Sequence, residues 1–249
     1  MTSYITPNWP APSNIHAYVT TRKGGQSTGD YNSFNLAIHV GDDNTVVTNN
    51  RDHLQKILQL SAEPYWLTQV HGTRVLALDE IDTKKINKPD ADGSWTSQPN
   101  KICVVMSADC LPVLLCDQKG SCVSALHAGW RGLASVILEI GVKSLPVHSS
   151  QLIAWLGPAI SIDAYEIGAE VREKFLKVDA TAENAFRASD RAGHWYVDLY
   201  EIARQRLQSV GVTQIYGGEY CTHRDKELFY SYRRDGKTGR MASLIYLTA

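Results

Sequence analysis

No run in the chain approaches the roughly 18 consecutive apolar residues of a membrane span. No membrane partner is therefore expected. The opening MTSYITPNWPAPSN lacks a basic start followed by an apolar stretch, so no secretory leader is expected either. The sequence has no C-x-x-C, which removes the local zinc knuckle and the thioredoxin-type redox pair. It has 8 histidines and no H-x-H pair, too few ligands for a multicopper cluster. An excess of basic charge is also missing. Lys and Arg number 25 against 26 Asp and Glu, for a net charge of −1, which argues against a general nucleic-acid grip. Internal repeats, low-complexity tracts and linker-like stretches are absent.

What remains is an ordinary soluble composition, 43% apolar and 20% charged over 249 residues. That length supports a core without covalent staples. Cysteines number five, and Cys103, Cys110, Cys116 and Cys122 sit in apolar runs where cysteine packs as a small hydrophobe. A reducing, cytoplasmic setting is expected. Helical and strand patterns mingle throughout, so residues 1–249 are read as one α/β (α+β) domain, with mixed β-sheets flanked by helices.

The most informative stretch is Ser107–Gly132, SADCLPVLLCDQKGSCVSALHAGWRG. LPVLLC and CVSAL read as buried strands around the turn DQKGS. Strands are also expected for HAYVTTR (16–22), PYWLTQVHG (64–72), KICVVMSADC, QLIAWLGPAI (151–160) and three runs in the tail, TQIYGG, ELFYSYRR and MASLIYL. DGKTGR reads as a hairpin turn. TRVLALDE continues a sheet, and 79–100 reads as a polar surface excursion containing Asp90, Asp92 and Gly93. One helix is expected after Asp43 or Asn44. Others follow through Leu133, Val136, Ile137, Ile140 and Leu145, through Val171, Phe175 and Val178, and after Asp198. Residues 29–43 read as loop, and 179–194 are weakly patterned.

His71, Cys110 and His127 each end an apolar run beside small residues, which makes them candidates to converge on one metal ion. Two imidazoles and a thiolate suit zinc, and three protein ligands leave a position for water or substrate. The spacings, 39 and 17 residues, are not those of a local motif. Copper is the less favoured ion, because only Met106 is near enough in sequence to act as its axial ligand. The same residues permit a metal-free reading with Cys110 as nucleophile and His71 or His127 as base. Asp109 adjoins Cys110 as a candidate base or hydrogen-bonding support, and equally as a turn-forming carboxylate. Arg131 in a glycine turn opening a helix, Arg22 in a second glycine turn, and Arg233, Arg234, Lys237 and Arg240 near the C-terminus suggest anion binding. Cys221 and His223 form a minor metal candidate. Trp66, Trp95, Trp130 and Trp155 are candidates for stacking or core packing.

Taken together, TRKGG, SFNL, WLTQVHG, ADCLPVLL, HAGWRG, LGPAI and SYRRDGKTGRMAS resemble the bacterial YfiH family. It is also called the laccase-domain or polyphenol-oxidase-like family, and purine nucleoside phosphorylase in newer naming. The resemblance runs from about Arg22 to the C-terminus. It implies a mixed α/β domain with zinc on His71, Cys110 and His127. It also implies phosphorolysis of adenosine, inosine, guanosine and methylthioadenosine, and hydrolytic deamination of adenosine. Arg22 and Asn35 are implied as substrate or phosphate contacts. Alternatives implied for relatives are amide cleavage in UDP-muramoyl precursors and polyphenol oxidation; a non-catalytic zinc-stabilised protein is a further class. A nucleoside and phosphate are the expected partners, and a monomer or weak homodimer the expected state.

Overall fold

The computed structural model describes residues 3–81 and 89–249. In chain order the elements begin with β1 (Tyr4–Ile5), β2 (Ile15–Thr20), α1 (Asn44–Ile57), β3 (Val75–Ala77), β4 (Gly93–Thr96) and β5 (Cys103–Ser107). The central stretch supplies β6 (Leu111–Asp117), β7 (Val123–Ala128), α2 (Trp130–Ala134), α3 (Ile137–Ser144) and β8 (Leu152–Leu156). Then come β9 (Glu166–Gly168), α4 (Ala169–Val178), β10 (Phe186–Ala188), β11 (His194–Val197) and α5 (Leu199–Ser209). The chain closes with β12 (Gln214–Gly217), α6 (Tyr232–Asp235) and β13 (Met241–Leu247).

Strands β6 and β7 pair antiparallel across the expected turn, with Leu111 opposite Ala128 and Cys116 opposite Val123. They form the centre of a mixed six-stranded sheet of order β12-β8-β6-β7-β4-β3. The turn holds because Asp117 accepts hydrogen bonds from the backbone N–H groups of Lys119, Ser121 and Cys122. Alternation along β6 then sorts its side chains between two faces. Leu111, Val113 and Leu115 join the cluster formed with α3, α4 and α5. Leu114 and Cys116 join Ala17, Val105 and Ile245 of the four-stranded sheet β1-β2-β13-β5. The far face of that second sheet, with Val104, Ala242 and Leu244, packs on Leu54 of α1. The order of layers is therefore helices, six-stranded sheet, four-stranded sheet, helix. Because β6 and β7 are buried on both faces, their sequences read as continuous apolar runs rather than alternating ones.

Several helix ends follow simple chemistry. Asp43 caps α1 by accepting from the N–H groups of Thr45 and Val46, and Asp198 caps α5 through those of Tyr200 and Glu201. Other expectations are corrected. The helix expected through Leu133 and Leu145 is two helices, because Val136 takes a left-handed backbone (φ 66°) between α2 and α3. ELFYSYRR is not a strand, and DGKTGR is not a hairpin. Phe229 and Tyr230 are fully buried, Ser231 caps α6 through the N–H of Arg234, and Gly236 ends it at φ 68°. Residues 179–194, weak in pattern, hold a 3-10 turn and the hairpin β10–β11, part of the three-stranded sheet β10-β11-β9.

The 79–100 segment departs most from expectation. Residues 82–88 lie outside the described residues. The rest is not a surface excursion, since β4 runs inside the six-stranded sheet between β7 and β3 and Asp92 is fully buried. PYWLTQVHG is not a regular strand and makes only isolated bridges, Tyr65 to Cys103 and Thr68 to Asp90. The Gln69 side chain replaces the ladder. Its Nε2 donates to the Met106 carbonyl (2.8 Å), and its Oε1 accepts from the Met106 N–H (2.7 Å). Among the described residues no helix is long and apolar enough to cross a membrane.

Candidate metal centre

The three far-apart residues meet at the end of the six-stranded sheet. His127 lies near the end of β7, and Cys110 lies in the sharp turn between β5 and β6, where Asp109 takes φ 90°. His71 sits in the loop before β3 with a left-handed backbone, φ 60°. One potential ligand atom from each of His71, Cys110 and His127 lies within 4.8 Å of the others. Among the described residues this is the one group of histidines, cysteines and carboxylates so arranged. The two imidazole rings stand edge to face, with centroids 4.9 Å apart.

A buried carboxylate that sequence reasoning missed holds the arrangement. Asp92 precedes β4 and is fully buried. Its Oδ1 lies 2.9 Å from His127 Nδ1 and accepts from the His71 N–H at 2.9 Å. Its Oδ2 accepts from the N–H groups of Gly72 (2.6 Å) and Val70 (3.2 Å). The same residue's carbonyl accepts from the His127 N–H at 2.7 Å. One carboxylate thus fixes the ring of one candidate ligand and the strained backbone of another. With Nδ1 of His127 committed to Asp92, its Nε2 is left for the metal, a common support for metal-binding histidine. Burial opposes the charge on Asp92, but His127 and the backbone donors outweigh it and keep its pKa below the usual carboxylate value.

Close approach is possible because residue 129 is glycine. A Cβ there would lie 2.9 Å from Cys110 Sγ and 3.3 Å from His71 Cδ2. Burial pushes the Cys110 thiol up, but the charge and hydrogen bonds of His127 and His71 prevail and bring its pKa to about 6. The reciprocal effect raises His127 to about 9, against burial, through the Cys110 thiolate and Asp92. Each of the two groups thus favours the charged form of the other. Two nitrogens and one sulfur, all within 4.8 Å of one another, are the donor set that suits one zinc-like ion. Desolvation instead drives Cys103, Cys116 and Cys122 up to about 12. In metal-free protein, iodoacetamide should modify Cys110 with a midpoint near pH 6, spare those three, and be blocked by added zinc. Mapping adducts by mass spectrometry across pH checks this, and a midpoint near the ordinary thiol value would contradict it.

The ligands open on a cavity of about 490 Å³, a size suited to a small-molecule ligand. Arg131, Arg233, Arg240, Tyr165, Trp130 and Asp109 are among its lining residues. Asp109 is held by two donors, the Thr222 hydroxyl to Oδ1 (2.6 Å) and the Arg233 N–H to Oδ2 (2.6 Å). Tyr232, inside the SYRRDGKTGRMAS motif, also lines the cavity, as does Tyr165, which no quoted motif contains.

Arg22 and Asn35 are not brought into this cavity. Arg22 lies over the Tyr230 ring (4.8 Å), donates to the Asn32 and Lys226 carbonyls, and opens on a separate cleft with Lys23, Lys226 and Arg234. Asn35 is fully buried, and its amide serves Ala37, Asp42 and the N–H of Arg240. Its effect on the cavity is indirect, through the backbone that carries Arg240. Cys221 accepts hydrogen bonds from Ser161 and Arg224 rather than joining a ligand group. Trp66 and Trp155 are core residues.

Residues 16–248 match the family described as multi-copper polyphenol oxidoreductase laccase. A protein of Pseudomonas aeruginosa named purine nucleoside phosphorylase is 47% identical, with 99% of each chain covered. Purine nucleoside phosphorylase YfiH of Escherichia coli is 46% identical, covering 99% of this chain and 100% of that one. The crystal structure of a Neisseria meningitidis protein superposes with a TM-score of 0.94 at 44% identity over the whole of both chains. That of Bacillus licheniformis YfiH, titled hypothetical, gives 0.87 at 31% identity, covering 94% of this chain and 93% of that one. The chain belongs to the YfiH, or laccase-domain, family.

Proposed function

We propose that the protein is a zinc-holding purine nucleoside phosphorylase of the bacterial cytoplasm. The observation that carries this reading is a three-donor site, His71, Cys110 and His127, opening on a cavity lined by arginines and aromatic rings. The names of the relatives supply the substrate class. Adenosine, inosine, guanosine and methylthioadenosine are the proposed nucleosides, with hydrolytic deamination of adenosine as a second activity. The family description invokes several coppers, yet the described residues offer one three-donor group, which suits a single ion.

In phosphorolysis a phosphate oxygen bonds to C1′ while the C1′–N9 bond breaks. The electron pair leaves on the purine, which takes up a proton. When bound, zinc supplies a Lewis acid that lowers the pKa of a water it holds. The chain's own residues supply the rest. A cavity arginine neutralises and orients phosphate. Asp109 is the carboxylate among the described lining residues, which makes it the candidate proton carrier in this reading. Asp92 holds His127 and the His71 loop in place.

Purified protein assayed with adenosine or inosine should release free base only when phosphate is present. Stripping the metal should cut turnover by at least about tenfold, and zinc should restore it. Base release unaffected by phosphate, or full activity in stripped protein, would contradict the proposal. Cys110 beside two histidines favours a second reading, an amidase with Cys110 as nucleophile. That reading wins if Cys110→Ser retains zinc but loses amide cleavage of a muramoyl substrate.

A further inference from the structure

Three arginines line the cavity, and the structure uses them differently. Arg131 lies over the Trp130 ring at 4.3 Å, and Arg233 lies over the Tyr165 ring at 4.9 Å. Arg233 also donates from Nη1 to the Glu166 carbonyl. These two guanidinium groups are laid against aromatic faces that line the cavity. A guanidinium plane and an aromatic face are surfaces on which a purine base stacks. Arg240 differs. Its Nη1 donates to the carbonyls of Thr238 (2.8 Å) and Gly239 (2.9 Å), which anchors the group. Among the described residues nothing hydrogen-bonds its Nε or Nη2, and no carboxylate lies in ion-pair range. Its ring contact, with Tyr232, is the more distant one at 5.8 Å. The group is half-buried, and burial holds its pKa below the usual arginine value despite the attraction of Cys110 and Asp109. His39 lines the same cavity and is close enough to feel the charge of Arg240. A half-buried cation with two free, parallel donors and no carboxylate in ion-pair range is a fork awaiting a tetrahedral oxyanion.

We propose that Arg240, with His39 near it, forms the inorganic phosphate subsite, and that Arg131, Arg233 and Tyr165 form a base-stacking wall of the same cavity. This rests on the phosphorylase reading and gives each set of residues one partner. Arg22, the expected phosphate contact, lies in a different cleft.

The test is inorganic phosphate binding to zinc-loaded protein, followed by calorimetry, together with steady-state KM values for phosphate and inosine. Arg240→Met should weaken phosphate binding and raise its KM by at least about tenfold while inosine KM changes less than about twofold. Arg240→Lys should be intermediate, since it keeps the charge without the fork. Should the methionine variant misfold, wild-type protein answers instead: phosphate should protect Arg240 from phenylglyoxal more than it protects Arg131. Unchanged phosphate binding in folded Arg240→Met, no phosphate binding by wild type, or an effect confined to nucleoside 5′-phosphates would overturn the assignment. Phosphate binding at Arg240 in a protein that does not cleave nucleosides would uphold the subsite and sink the phosphorylase reading.

Discussion

Asp92→Ala should lower zinc affinity by roughly 10–100-fold, although Asp92 touches no metal. The loss has two parts. His127 Nδ1 would lose the acceptor that fixes its tautomer and ring orientation. The N–H groups of Val70, His71 and Gly72 would lose the acceptor that fixes a left-handed histidine. Metal-free stability should fall as well, by about 1–3 kcal/mol, because buried donors of His127 and of residues 70–72 lose their acceptor. The sign with pH follows from the depressed pKa of Asp92. A carboxylate held below its unfolded value contributes its full stabilisation above about pH 4 and loses it as pH falls through the folded value. Asp92→Asn, which cannot ionise, should therefore differ most from wild type near neutrality and converge with it in strong acid. Competition with a coloured zinc chelator and denaturant melts of stripped protein measure the two effects. Equal zinc affinity in the variant would remove Asp92 from the account.

Gly129→Ala should cost at least about tenfold in zinc affinity through sterics alone. The backbone there, φ −67° and ψ 164°, suits alanine without strain. The added methyl would stand 2.9 Å from Cys110 Sγ, so the sulfur or the β7–α2 corner must move. Because the cavity side is the open one, the thiolate is displaced from the two imidazoles, and the Cys110 pKa should rise from about 6 as their charge recedes. Zinc titration and the alkylation profile read the same displacement independently. A variant with wild-type values in both would show that the corner has slack the structure does not suggest.

The legible and illegible parts of the sequence divide along physical lines. The β6–β7 hairpin was readable because both strands are buried on both faces and the turn carries its own Asp117. The three ligands were readable as polar residues ending apolar runs, and the motif resemblance fixed their roles as expectations. Asp92 was not readable, because a buried carboxylate inside a polar stretch has the same signature as a surface loop. Its partners, His127 and the 70–72 backbone, are supplied only by tertiary pairing. Gln69 misled in the opposite way. WLTQVHG has strand composition, but the glutamine side chain takes over the hydrogen bonds a neighbouring strand would make. Arg22 and Asn35, implied as contacts by the motif resemblance, lie outside the cavity of the three donors. One faces another cleft and the other is spent on the backbone, while Arg240, only one member of a basic cluster in the sequence, carries the free donors.

X-ray absorption at the zinc edge of protein loaded with one equivalent of metal is the most direct measurement. Sharing of one ion by Cys110, His71 and His127 predicts a single sulfur at about 2.3 Å, two imidazole nitrogens at about 2.0–2.1 Å, and one further light scatterer exchangeable with added ligand. A shell without sulfur, with more than one sulfur, or closed by a fourth protein donor would contradict it.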